Sequence, residues 1–180
     1  MLRRDGFRGS VSFARVSTAL EITAFAYLGV ISVVLAVIDV RHHRLPNRIV
    51  LPSYGVGGAL LLGAVLFGAP APALGRALVG MIVLFGFYLL LRILSRRGLG
   101  GGDVKLAGVL GLYLGWLGWD ALAIGALAGF VVGGATGVLL MLARRADRRT
   151  RIAFGPAMLI GAWLVIGVSV AGTVAGPVVA

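Results

Sequence analysis

Proton-transfer chemistry in this chain has few side chains to draw on. Its 180 residues hold six acids, two adjacent histidines and no cysteine, against 17 lysines and arginines. Without cysteine there is no disulfide framework and no thiolate zinc site. Other metal sites would lean on carboxylates that are nearly absent, so neither a metal nor another cofactor is expected. Acid-base work must come from Asp5, Glu21, Asp39, Asp103, Asp120 and Asp147. Two carboxylates brought together in a partly desolvated site cannot both ionise easily and share a proton. One then acts as base toward a water, the other as acid toward a carbonyl or leaving amine. Which of the six can meet depends on the elements that carry them.

Those elements are read from the apolar residues. The chain is 59% hydrophobic with a mean hydropathy of +1.03. An ordinary soluble domain is roughly half apolar and about a quarter charged, so a water-soluble globule is excluded. Runs long enough to cross a bilayer, about 20 residues each, recur along almost the whole sequence. Six are predicted: about Val16 to Ile38, Ile49 to Ala69, Gly75 to Leu94, a shorter one from Asp103 to near Trp116, Trp119 to Ala143, and Pro156 to Val174. Pro46-Asn47, Pro70, Pro72, the run from Gly98 to Gly102, Gly118 and Gly155-Pro156 punctuate them. The expected fold is an all-α polytopic membrane protein of about six transmembrane helices, residues 16–180, behind an N-terminal tail, residues 1–15. The first run is too long for a cleavable signal peptide and lacks a clear small-residue cleavage site.

Charge sets the expected orientation. The net charge is +11. In so apolar a chain the basic residues read as loop anchors on an anionic leaflet, with membrane lipids rather than nucleic acid as the partner. Twelve of the 17 fall after the first, third and fifth runs: Arg41, Arg44, Arg48; Arg92, Arg96, Arg97, Lys105; and Arg144, Arg145, Arg148, Arg149, Arg151. These loops are expected in the cytoplasm of a multi-pass cell-membrane protein. Arg3, Arg4, Arg8 and Arg15 in the tail run against that assignment. Glycines at every fourth residue, Gly111 and Gly115, then Gly125, Gly129, Gly133 and Gly137, mark faces for close helix packing or for receiving a substrate helix.

The acids can now be sorted. Asp5 belongs to the tail and Asp120 to the turn opposite the arginine-rich loops. Glu21 reads as a helix-start carboxylate favoured by the macrodipole; the chain from it to Asp39 spans roughly 27 Å of helix, almost a full bilayer. Asp147 sits among arginines, where a solvated salt-bridged loop is the default. Asp39 closes the first run and Asp103 opens the fourth, two crossings apart and on one membrane face. Singly, each would be a boundary charge or helix cap. Together they are the minimal apparatus of an aspartyl protease.

Their neighbours form two signatures. Asp39 stands ahead of Val40-Arg41-His42-His43-Arg44-Leu45 and then Pro46-Asn47; Asp103 follows Gly100-Gly101-Gly102 and precedes Val104-Lys105. The chain thereby resembles the type IV prepilin peptidases, membrane aspartyl proteases with Asp-x6-Pro-Asn and Gly-x-Gly-Asp-x-Lys segments. Phe154-Gly155-Pro156 adds a third similarity, with Ala153 where the family usually has proline. The resemblance implies Asp39 and Asp103 as the catalytic dyad, facing the cytoplasm, and prepilin or pseudopilin precursors with short basic leaders as substrates. It implies Gly100 and Gly102 as the glycines that let a substrate strand approach, and Pro46 and Asn47 as the turn that starts the second span, Asn47 capping. Lys105 is expected on phosphate headgroups or substrate rather than on the dyad, or simply snorkelling. His42 and His43 are expected in solvent or against headgroups or leader. Larger family members carry a cytoplasmic insert with paired Cys-x-x-Cys motifs and also N-methylate the new terminus. With no cysteine, this chain is expected to be a peptidase without methyltransferase activity. Two rivals stand beside this reading: a Ser-Lys peptidase built from Ser95 and Lys105, and a non-enzymatic polytopic scaffold or transporter subunit.

Overall fold

In a computed structural model that describes residues 3–94, 99–142 and 154–174, six helices follow one another. They are α1 (Arg3–His42), α2 (Asn47–Leu66), α3 (Ala71–Leu94), α4 (Gly101–Leu117), α5 (Trp119–Leu142) and α6 (Gly155–Val174). No strand occurs among the described residues. All but α4 are long and apolar enough to cross a membrane. At 17 residues, α4 rises about 25 Å, and it crosses inside the bundle rather than against lipid. From Asp103 to Trp116 every residue of α4 is buried except Lys105, which is half-buried. A helix apolar on all sides belongs in the middle of its neighbours.

Glycine makes that crowding possible. A Cβ on Gly80 would stand 2.6 Å from the Gly111 carbonyl oxygen, and one on Gly115 would stand 2.6 Å from that of Arg76. These positions cross α3 on α4 backbone to backbone. On α5, Gly125 meets Leu114, Gly129 meets Met158, and Gly133 meets the Phe154 ring. The glycine spacing thus serves packing between the chain's own helices, as expected where close approach rather than water exclusion drives association. Polar side chains join the rest. Ser17 Oγ donates to the Ala64 carbonyl at 3.0 Å, Tyr27 and Ser53 share a hydrogen bond of 3.3 Å, and Trp163 Nε1 donates to Ser32 Oγ at 3.0 Å.

Helix α1 corrects one expectation. It begins at Arg3, not near Val16, so the tail is continuous with the first span and Glu21 lies five turns inside the helix. No free helix end is near it, and the macrodipole account of Glu21 fails. Ser95, Arg96, Arg97, Gly98, Ala153 and the arginine cluster around Asp147 lie outside the described residues.

Candidate active site

Because the helices alternate in direction, the end of α1, the starts of α2, α4 and α6 and the end of α3 share one end of the bundle. Asp39 and Asp103 meet there. Both are buried, at 4% and 8% exposure, and both line one cleft of about 220 Å³ together with His43, Arg44, Leu45, Gly100, Gly101 and Gly102. Each carboxylate lies within electrostatic range of the other.

Asp39 sits in the last turn of α1, where the unpaired carbonyls of a helix end make a poor setting for a negative charge. Its relief comes from the far end of the sequence. The N–H of Gly155, the first residue of α6, donates to Asp39 Oδ2 at 3.1 Å, and the start of a helix is where an anion is favoured. A Cβ on Gly155 would stand 2.6 Å from that oxygen. Pro156 costs α6 nothing, since first-turn N–H groups have no helical acceptor. Phe154 anchors the turn: its ring lies 5.6 Å from Phe130 and 6.3 Å from Tyr88, which stack on each other at 5.3 Å. The third motif is thus a device that brings an N–H to Asp39.

Asp103 is held locally. It is the third residue of α4, and its Oδ2 accepts the Gly100 N–H at 3.1 Å. This is half of a capping box, glycine having no side chain to return the bond. The cap and the cleft are served by one carboxylate. At the end of α3, the Arg92 guanidinium packs against Gly101, within electrostatic range of Asp103.

The link between α1 and α2 closes over this end. His43 ends α1 with a φ of 49° and its N–H on the Asp39 carbonyl at 2.8 Å, a left-handed cap that histidine tolerates better than most residues. Leu45 then fills the space beside Gly102, where a Cβ would stand 2.6 Å from Leu45 Cβ. Gly102 therefore admits the protein's own loop. Pro46 takes the cap position in extended conformation, its carbonyl accepting the N–H groups of Ile49 and Val50 at 3.0 and 3.2 Å.

Asn47 does not cap α2. It is the first helical residue, past the position from which a side chain reaches back to the first-turn N–H groups. Its Oδ1 instead accepts from Lys105 Nζ at 2.8 Å, and Tyr54 Oη donates to the Lys105 carbonyl. Lys105 is thus tied to the start of α2 through Asn47. Among the described basic residues of the expected cytoplasmic loops, Arg41, Arg44, Arg48, Arg92 and Lys105 all lie at this end. Asp120 lies exposed at the opposite end, and no three His, Asp or Glu side chains converge among the described residues. Sequence reasoning did not single out Tyr54, Tyr88, Phe130 or the seating of Leu45. Only the Tyr54 hydroxyl left a trace, in the packing glycine Gly108 against which it rests.

A bundle of apolar helices with two buried aspartates at one end, contributed by helices two crossings apart, defines a class of membrane protein before any comparison is made. The comparisons name it: residues 26–138 match the type IV leader peptidase family, and the chain belongs to that family. Curated relatives include prepilin leader peptidase/N-methyltransferases of Stutzerimonas stutzeri, 34% identical over 134 residues, and of Aeromonas hydrophila, 36% identical over 137 residues. They cover 73% and 74% of this chain, which in turn spans 45% of the length of each. No solved structure matches. The family match includes both aspartates and ends before α6, so the Gly155 contact with Asp39 is an observation of the fold alone.

Proposed function

We propose that the chain is a membrane-embedded aspartyl endopeptidase that removes the leader of prepilin-like precursors, with Asp39 and Asp103 as its catalytic pair. One observation carries the reading: two buried carboxylates from distant helices face a single cleft in a chain otherwise almost without acids. In each, one oxygen is committed to a backbone N–H, which fixes the carboxyl plane and leaves the other oxygen for chemistry. The ionised partner takes a proton from a water in the cleft as that water attacks the scissile carbonyl, while the protonated partner gives its proton to the carbonyl oxygen. As the tetrahedral gem-diol collapses the C–N bond breaks, the proton held by the first carboxyl passes to the leaving amine, and the second carboxylate takes back a proton from a gem-diol hydroxyl as the new carboxyl group forms. The pair is left with one proton, as it began.

The substrate class is supported by the relatives, which are prepilin leader peptidases. The basic residues gathered at the cleft end support a cytoplasmic site in the cell membrane, the side that accumulates them. With no cysteine in the chain, the reading is of a peptidase that leaves the new N-terminus unmethylated. Co-expression of the full chain with a prepilin-type precursor tests it by the mobility shift on cleavage. Asp39→Asn and Asp103→Asn, inserted at normal levels, are each expected to slow cleavage by about 10³-fold or more, whereas Ser95→Ala leaves it unchanged. Full cleavage by either aspartate variant overturns the pair. A methyl group on the released terminus overturns the peptidase-only reading.

A further inference from the structure

A groove larger than the aspartate cleft lies away from it. It opens between α1 and α6, encloses about 710 Å³, and is lined by Thr18, Glu21, Phe25 and Gly29 of α1 facing Trp163 and Ser169 of α6, among others. Trp163 is a fixed wall, its indole N–H held by Ser32. Gly29 deepens the floor beneath it, since a Cβ there would touch the indole at 3.5 Å. Most of the lining is apolar. Its one charged side chain is Glu21, which makes no ion pair among the described residues, and no lysine, arginine or histidine lines the groove.

Depth identifies what would fill it. Glu21 lies about 27 Å along α1 from Asp39, so with the cleft at one boundary of the hydrocarbon it stands at the other. From Thr18 at the headgroup level to Gly29 the groove runs about 16 Å toward the membrane centre and ends close to the middle of the roughly 30 Å core. That is the depth of one lipid chain in one leaflet. A helix crossing the whole core would outrun it, and a helical segment of that length, at least 10 Å across, fills on the order of 1,200 Å³, more than the groove encloses.

Charge identifies the headgroup. A carboxylate with no cation beside it among the described residues repels an anionic headgroup and offers an ammonium a charge-assisted hydrogen bond. We propose that the α1/α6 groove binds a phospholipid with a primary-amine headgroup, of the phosphatidylethanolamine kind, its ammonium on Glu21 and one acyl chain along Phe25, Gly29 and Trp163. This site is separate from the aspartate cleft and does not rest on the peptidase reading.

Native mass spectrometry of the intact chain in detergent tests it, with matched-chain phosphatidylethanolamine, phosphatidylglycerol and phosphatidylcholine added in turn. The wild type is expected to retain one phosphatidylethanolamine roughly tenfold more tightly than either competitor. Glu21→Gln abolishes the preference, Glu21→Asp keeps it, and Gly29→Leu, which fills the floor, lowers retention of all three. Equal retention of the three lipids by the wild type, a preference for phosphatidylglycerol, or a preference that survives Glu21→Gln overturns the assignment. So does a crosslink from position 29 to a co-expressed precursor, which would make the groove a seat for a substrate helix. If Glu21→Gln fails to fold, Gly29→Leu and the lipid series on the wild type still decide it.

Discussion

The two halves of the aspartate site are built in opposite ways. Asp103 opens a helix and is held by a residue three positions away; Asp39 closes a helix and is held by one 116 positions away. The first half needs only that α4 form, because a carboxylate in the opening turn satisfies an N–H that would otherwise be unpaired. The second needs the whole bundle, since the N–H that the Asp39 carboxylate accepts comes from the start of α6. A carboxylate at the wrong end of its own helix is made tolerable by the right end of another. That arrangement ties the state of Asp39 to the seating of α6, while Asp103 depends on its own turn.

The sharpest way to break this contrast is to add one methyl group to each half. Gly155→Ala sets a Cβ against Asp39 Oδ2 with the rigid start of α6 behind it. Gly100→Ala brings a Cβ only to 3.0 Å of Asp103 Oδ2, at a backbone φ of −70° that alanine adopts freely. Displacement of a reacting group by an ångström costs on the order of a hundredfold in rate. Gly155→Ala is therefore expected to slow precursor cleavage about a hundredfold, and Gly100→Ala by about tenfold at most. Initial rates in membranes with matched protein levels measure both. Equal losses would mean that the long-range half is no more fragile than the local one.

The same contrast explains what the sequence could reveal. The six helices, their breakers and both aspartates were legible because apolar runs and scarce acids are local signals. The half capping box lies within four consecutive residues. By contrast, the Gly155 N–H on Asp39 and the Tyr54 hydroxyl on the Lys105 carbonyl join residues far apart in sequence. Helices of this kind are apolar on nearly every side, so periodicity does not tell which face meets which neighbour. Phe154-Gly155-Pro156 was recognisable as a motif, but its use required the position of Asp39 in space. Asn47 was misread as a cap for a smaller reason: the helix starts one residue too early for it. Glu21 was misread because α1 runs on through the arginine-bearing tail.

Phe154 extends the comparison one step outward. Its ring seats the start of α6 on Phe130 and Tyr88, and aromatic pairs contribute about 0.5–1.5 kcal/mol each beyond burial. Phe154→Ala is expected to slow cleavage by about tenfold through loosened support of Asp39, and Phe154→Leu, which keeps most of the volume, by about threefold. If Phe154→Ala cleaves at the wild-type rate, the aromatic cluster is not what holds α6 against Asp39.

On the Asp103 side, the Lys105–Asn47 bond plays the corresponding part with less leverage. It is solvent-exposed, and such a bond contributes about 1 kcal/mol. Lys105→Met is expected to lower the cleavage rate about fivefold, and Asn47→Asp, which turns the bond into an ion pair, to stay within about twofold of wild type. A Lys105→Met loss as large as that of Asp103→Asn would move lysine from support to chemistry.

The smallest effect lies where the two halves are joined, at His43. Its φ of 49° is a conformation that costs an ordinary residue about 1–2 kcal/mol and a β-branched residue more, while glycine adopts it freely. The turn nevertheless must be made there. The His43 N–H closes the last turn of α1 on the Asp39 carbonyl, and Leu45 has to arrive beside Gly102 only two residues later. His43→Gly should therefore match or slightly exceed the wild type in thermal stability, and His43→Val should fall below it by about 1–2 kcal/mol. The chain carries three tryptophans, so unfolding in detergent can be followed by their fluorescence. Backbone strain at this position fixes the order Gly, His, Val; a valine variant as stable as the glycine one would show that the α1–α2 turn can be made another way, and that the two half-sites are joined less rigidly than the left-handed cap implies.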